Sequence, residues 1–223
     1  MVEIKGPIRA YYYPHKAIRV ELESLESKSA NLDLKNTDQL AEFENRINFL
    51  KQFFYAHEEG EEAALYPTAS RLRKDMSKPF EWDRHVSEEY FQTISGAIAE
   101  LKKSGELSAQ LKLMRGTAAL RAFLGAHETK EDEILLPLMD VELDPKEQGQ
   151  IIGKAMSKFP ESTVEDVEKF LVKRLTQDER VDFLRIVNQG APPETFKAIT
   201  KWVKEVLSEV EWEELRNKMP ELE

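Results

Sequence analysis

This 223-residue chain contains only four histidines, and their neighbours suggest what chemistry they could do. His57-x-x-x-Glu61 and His127-x-x-x-Glu131 are i, i+4 pairs, so on a helix each pair sets an imidazole and a carboxylate on one face. That face also carries the apolar residues: Phe53, Phe54 and Leu65 in the first segment, Leu120, Leu124 and Ile134 in the second. A carboxylate on an apolar stripe is costly to ionise unless it is paired or bound to a metal. Imidazole nitrogen and carboxylate oxygen together suit iron, manganese or zinc, and two carboxylates facing each other across a bundle can bridge two metals. Taken singly, each histidine is more often a satisfied core residue. Taken together, both inward pairs and all four histidines fall into one pattern.

That pattern is a repeat. His15 precedes His57 by 42 residues, and His85 precedes His127 by the same 42. The segments Ala56 to Pro67 and Ala126 to Pro137 align without gaps, His57 on His127 and Glu61 on Glu131. Two helix pairs of one layout would give an approximate two-fold axis with a shared central site.

The elements that must position these residues read as helices. A first helix follows Tyr13-Pro14 through His15, Ile18, Leu22 and Leu25, and the stretch Asn31 to Asn36 breaks it. A second begins at Thr37 or Asp38 and carries Phe43, Ile47, Leu50, His57 and Glu61 on one stripe, with Pro67 bending it or marking its end. A third follows Pro79 with Trp82, Val86, Tyr90, Ile94, Ala97, Ile98 and Leu101, and His85 sits at the edge of that stripe. A fourth runs from Glu106 to about Pro137 with Leu113, Leu120, Leu124, His127, Glu131, Ile134 and Leu138 inward. The expected fold is all-α: an up-and-down four-helix bundle over 1–144, then a C-terminal helical extension over 145–223. The extension reads as helices near 146–159, 162–174, 177–189 and 193–217. It either packs on the bundle or mediates association with a second copy or a partner, through the face of Phe196, Ile199, Trp202, Val203 and Val206.

Composition narrows the classes. Cysteine is absent, which excludes disulfides, thiolate metal sites and a cysteine nucleophile, so any metal is held by nitrogen and oxygen. The 32 basic and 42 acidic residues give a net charge of −10, which disfavours nucleic acid and anionic membrane as partners. Met1 to Ala10 has no apolar core of a signal peptide and no run is long enough to span a bilayer, so the expectation is a cytoplasmic protein. Dinucleotide, P-loop, serine-hydrolase and HExxH motifs are missing.

With these residues in view, the chain resembles the haemerythrin-like, or HHE cation-binding, family, whose pattern is His, HxxxE, His, HxxxE on four successive helices. Residues 15–137 carry all of it in order. The resemblance implies a non-haem, carboxylate-bridged pair of iron ions, with zinc or manganese as substitutes. His15, His57, His85 and His127 would be ligands, and Glu61 and Glu131 the bridges. Pro14-His15 and His57-Glu58-x-x-Glu61 are most similar to the iron-sensing haemerythrin domains of ubiquitin ligases, which implies that Glu58 also ligates. The segments Glu147 to Ile152 and Trp202-Val203 are loosely similar to those following such repeats in plant iron-sensing ligases, whose zinc-binding parts a cysteine-free chain cannot contain. Oxygen-carrying haemerythrins use five histidines and this chain has four, so the resemblance favours iron or oxygen sensing, binding or storage over reversible carriage. A di-iron oxidase or peroxidase acting on O₂ or H₂O₂ is the alternative, with Tyr55 and Tyr66 as proton-donor candidates.

Overall fold

The computed structural model describes residues 3–33 and 36–222, and among them every regular element is helical. Leu34 and Lys35, inside the expected break between the first two helices, lie outside the described residues.

A 3₁₀ turn, Pro7–Tyr11, leads into α1, Tyr12–Ala30. Asn36 caps α2, Thr37–Gly60, by accepting from the backbone N–H groups of Asp38 and Gln39, one residue before Thr37 and two before Asp38, the expected starts. Beyond Gly60 the chain makes a π-helical turn, Glu61–Leu65, and continues as α3, Tyr66–Leu72. A short α4, Lys78–Glu81, precedes α5, Asp83–Ser104, which ends on Gly105 in the left-handed conformation at φ 63°. α6, Leu107–Lys130, passes through a second π turn, Glu131–Leu135, into α7, Leu136–Glu142. In the four-helix bundle α1 and α5 each pack beside both α2 and α6.

Pro67 and Pro137 do not end their helical runs. Proline lacks an N–H and crowds the carbonyl four residues back. Here the backbone widens just ahead of each one: Tyr66 N–H donates to the Glu61 carbonyl and Leu136 N–H to the Glu131 carbonyl, five residues back. The extra residue in each turn advances the inward face by one position. The expected inward Ile134 and Leu138 are therefore replaced by Leu135 and Met139, and Ile134 is exposed.

The C-terminal helices are α8, Pro145–Met156; α9, Val164–Arg174; α10, Gln177–Gly190; α11, Pro193–Val206; and α12, Glu209–Lys218. The single helix expected over 193–217 is two, because Ser208 caps a new start with Glu211 as its capping-box partner. Asp144 with Glu147, and Thr176 with Glu179, start α8 and α10 in the same way. α9 lies on α1, and α8 lies on α2 and the first π turn. One apolar core runs from the bundle into these helices, joining Phe53, Leu22 and Leu124 to Phe170, Val203 and Leu215. A second cluster, with Ile8, Leu65, Tyr66, Phe80, Leu135 and Met139, fills the end beyond the π turns. No helix among the described residues is long and apolar enough to cross a membrane.

Candidate metal centre

Between the two apolar clusters the four long helices deliver a buried polar seam. His15 comes from α1, His57 and Glu58 from the end of α2, His127 from the end of α6, and Glu61 and Glu131 from the first residue of each π turn. All six are buried. Their ligating atoms fall into two overlapping groups, His15 with His57 and Glu61, and Glu58 with Glu61 and His127, within each of which the atoms lie no more than 4.8 Å apart. Glu61 belongs to both. Glu131 reaches both sides as well, since its Oε2 is 3.4 Å from His15 Nε2 and 3.6 Å from His127 Nε2.

The hydrogen bonding inside the seam is incomplete. His57 Nε2 sits 3.1 Å from Glu61 Oε1, and His127 Nε2 sits 2.9 Å from Glu58 Oε1, yet neither approach has hydrogen-bond geometry. Both oxygens of Glu58 and one of Glu131 are also buried without a partner. Unpaired buried polar atoms are rare and costly, and here they converge from several helices on one place. A cation bound by imidazole and carboxylate would satisfy them all, and this donor set suits iron, manganese or zinc.

The far nitrogens are held. With Nδ1–H donating to Asp132 at 2.6 Å, the His15 ring turns its Nε2 toward Glu61 and Glu131, the edge a metal would take in place of the proton. His127 does the same through Asp83 at 3.0 Å. Arg19 pairs with Asp132 and Lys130 with Asp83, so each carboxylate–histidine couple is backed by a cation. Phe53 lies parallel to the His57 ring, with centroids 6.3 Å apart. Tyr66 donates its hydroxyl to Glu131 Oε1 at 2.8 Å and lies 3.3 Å from Glu61 Oε2, touching both shared carboxylates.

Charge crowding shifts the acids apart. Burial would raise Glu61, but His57 and His15 outweigh it and hold its carboxyl below the ordinary range. Burial, reinforced by neighbouring Glu61, raises Glu131 well above that range. Burial also raises Glu58, against the opposing pull of His127. Burial opposes charge on His127, yet Glu131, Asp83 and Glu58 prevail and push it up to about 12. Three carboxylates share a space with too few cations, a balance that a bound metal would reverse.

Six of the seven residues singled out in the sequence come together; His85 does not. It is exposed on α5 under the Trp82 ring, at a centroid distance of 6.0 Å. The buried face of α5 carries Ser87, Phe91, Ile94 and Leu101, in place of the expected Trp82, Val86 and Tyr90. Asp83 shares that inner face, four residues before Ser87, whereas His85 is two residues from each and so about 200° around the helix. Phe80 fills the space beside His127 and Tyr66. Sequence patterning does not single out Asp83 or Asp132: Asp83 has no motif, and Asp132 adjoins Glu131, a neighbour that a regular helix would turn aside. Tyr55 packs among Phe54 and Phe91, away from the seam.

Comparison with known proteins agrees with the geometry. The chain is 20% identical over 207 residues to a BRUTUS-like zinc finger protein of Arabidopsis thaliana, covering 89% of this chain and 16% of that one. It is 22% identical over 192 residues to zinc finger protein BRUTUS of the same plant, covering 83% and 15%. It thus spans about one sixth of those relatives' length. No solved structure matches it. The model of the Hemerythrin HHE cation binding domain matches residues 6–139, which contain the whole buried seam, and the chain belongs to that family.

Proposed function

We propose that the seam holds two iron ions bridged by carboxylates, and that the protein serves iron or oxygen sensing, binding or storage. The observation that carries this reading is the sharing of Glu61 between two groups of three ligands. His15 and His57 would serve one ion and Glu58 and His127 the other, with Glu61 and Glu131 between them; zinc and manganese would fit the same donors. Iron would supply redox chemistry and an open position for O₂ or a similar small ligand. The chain's own part is to aim the imidazole Nε2 atoms at the shared carboxylates, where a metal would displace their protons, to exclude water between the apolar clusters and to hold a proton on Tyr66. Residues 1–144 provide the complete ligand set, and we assign 145–223 to packing on the bundle.

A second reading, oxidase or peroxidase chemistry, gains support from Tyr66, whose hydroxyl stands at both shared carboxylates as a proton donor. Metal content and the near-ultraviolet spectrum after anaerobic ferrous loading and air exposure test the first reading. About two irons per chain, reduced in His57→Ala and His127→Ala, are expected. Iron uptake that neither substitution changes would overturn it, and catalytic consumption of H₂O₂ that Tyr66→Phe suppresses would shift the assignment to the second.

A further inference from the structure

A cavity of about 520 Å³ lies between the bundle and the C-terminal helices, a size within the range of small-molecule sites. Protein interiors otherwise hold few voids larger than a water. Its wall is largely apolar, with Phe53, Leu171, Phe183, Ile186 and Ile199 from four helices and Phe159 from the loop after α8.

Glu168 is the buried acid in that wall. It sits on α9, its Oε2 has no hydrogen-bond partner, and no cation among the described residues is paired with it. Burial alone pushes its carboxyl up to about 7. A lone buried carboxyl is destabilising in either protonation state unless something supplies the missing hydrogen bond.

α8 borders the open side of the cavity. Gly149 and Gly153, an i, i+4 pair, line it there and are themselves exposed, so a Cβ added at either would meet nothing within 4 Å and a longer side chain would narrow the mouth. Gly60 shows the opposite case, where a Cβ would lie 3.0 Å from the Ala155 carbonyl oxygen and close packing explains the residue.

We propose that this cavity binds an apolar organic molecule whose amine or hydroxyl head donates a hydrogen bond to Glu168. The site is separate from the metal ligands apart from His57, which forms part of the shared wall with Tyr11. Lys146 also lines the cavity and is itself exposed, so a carboxylate-headed molecule drawn to it is the competing occupant.

The test is calorimetric titration of the full chain with decylamine, 1-decanol and decanoate. One saturable site per chain is expected, with decylamine or decanol preferred over decanoate by roughly tenfold or more, the scale of a buried hydrogen bond to a charged group. Glu168→Leu should erase that preference, and Glu168→Gln should weaken decylamine more than decanol. Gly149→Leu and Gly153→Leu improve helix propensity, so their folding is secure, and each should abolish uptake of all three probes. Absence of saturable binding, preference for decanoate, a preference unchanged in Glu168→Leu and Glu168→Gln, or binding undiminished in both glycine variants would each overturn the proposal.

Discussion

On one side of the metal centre His15 and His57 set two imidazoles beside Glu61; on the other, His127 stands with Glu58 and no second imidazole. Both sides descend from the same repeat, with the same HxxxE and the same π turn, and each has one histidine backed by an aspartate, though the two aspartates are not related by the repeat. The third helix makes the difference. α4 sets Phe80 inward and the start of α5 sets Asp83 inward and His85 outward, so the position related by the repeat to His15 is left without its imidazole. The surroundings differ too. α8 covers the first half so closely that a Cβ on Gly60 would lie 3.0 Å from the Ala155 carbonyl oxygen, whereas its counterpart Lys130 reaches Asp83 and lies over Phe80. A repeat in sequence therefore produces two candidate ligand groups of unequal nitrogen content, and on the proposed di-iron reading the nitrogen-poor side should be the weaker and more exchangeable one.

The largest effect that would break this comparison is expected from Glu61→Gln. As the residue common to both groups, it should lower iron binding at both positions, beyond the roughly 10–100-fold typical of losing an outer-shell partner. Competitive metal titration reads it, and loss at one position only would show that Glu61 is not shared. Next come the histidines singly. His127→Ala should empty the weaker side and leave about one iron per chain, while His57→Ala should lower total affinity more; equal losses would mean that the two sides are equivalent.

Asp132→Asn and Asp83→Asn act through His15 and His127, and each should cost roughly 10–100-fold in affinity at its own side. Stopped-flow chelation, resolving fast and slow release, would assign each loss to a side. A smaller effect belongs to the packing difference. Gly60→Leu should destabilise the fold by about 1–3 kcal/mol through overpacking against α8, whereas Lys130→Ala, at the surface, should cost roughly 0.5 kcal/mol or a little more. Urea unfolding measures both. Smallest of all, His85→Ala should leave metal content and melting temperature unchanged. A drop in bound iron would mean that α5 rotates to deliver His85 when metal enters, and would restore the symmetry that the repeat suggests.

Much of the bundle and its seam is legible in the amino-acid sequence. The i, i+4 histidine–glutamate pairs, the 42-residue spacing and the apolar stripes identify the helices, the repeat and six of the residues in the seam, because helical periodicity converts spacing directly into a common face. That conversion fails where the period changes. Beyond Glu131 the extra residue of the π turn moves the inward face from Ile134 to Leu135, and only the backbone path around Pro137 reveals it. It fails again at the start of α5, where His85 and Asp83 both lie near the stripe and packing of Phe80 decides which faces inward. Long-range partners carry no spacing signal at all: Asp132 meets His15 across 117 residues, and Asp83 meets His127 across 44.

The sequence by itself therefore determined the all-α fold, the cation-binding family pattern and which histidine–glutamate pairs share a buried face, since these depend on local periodicity and on the donor chemistry of histidine and glutamate. Only the tertiary structure decided which carboxylate is shared, which histidine is left out and where a cavity remains around Glu168. Those outcomes depend on how helices distant in sequence pack, and on which buried polar atoms that packing leaves without a partner.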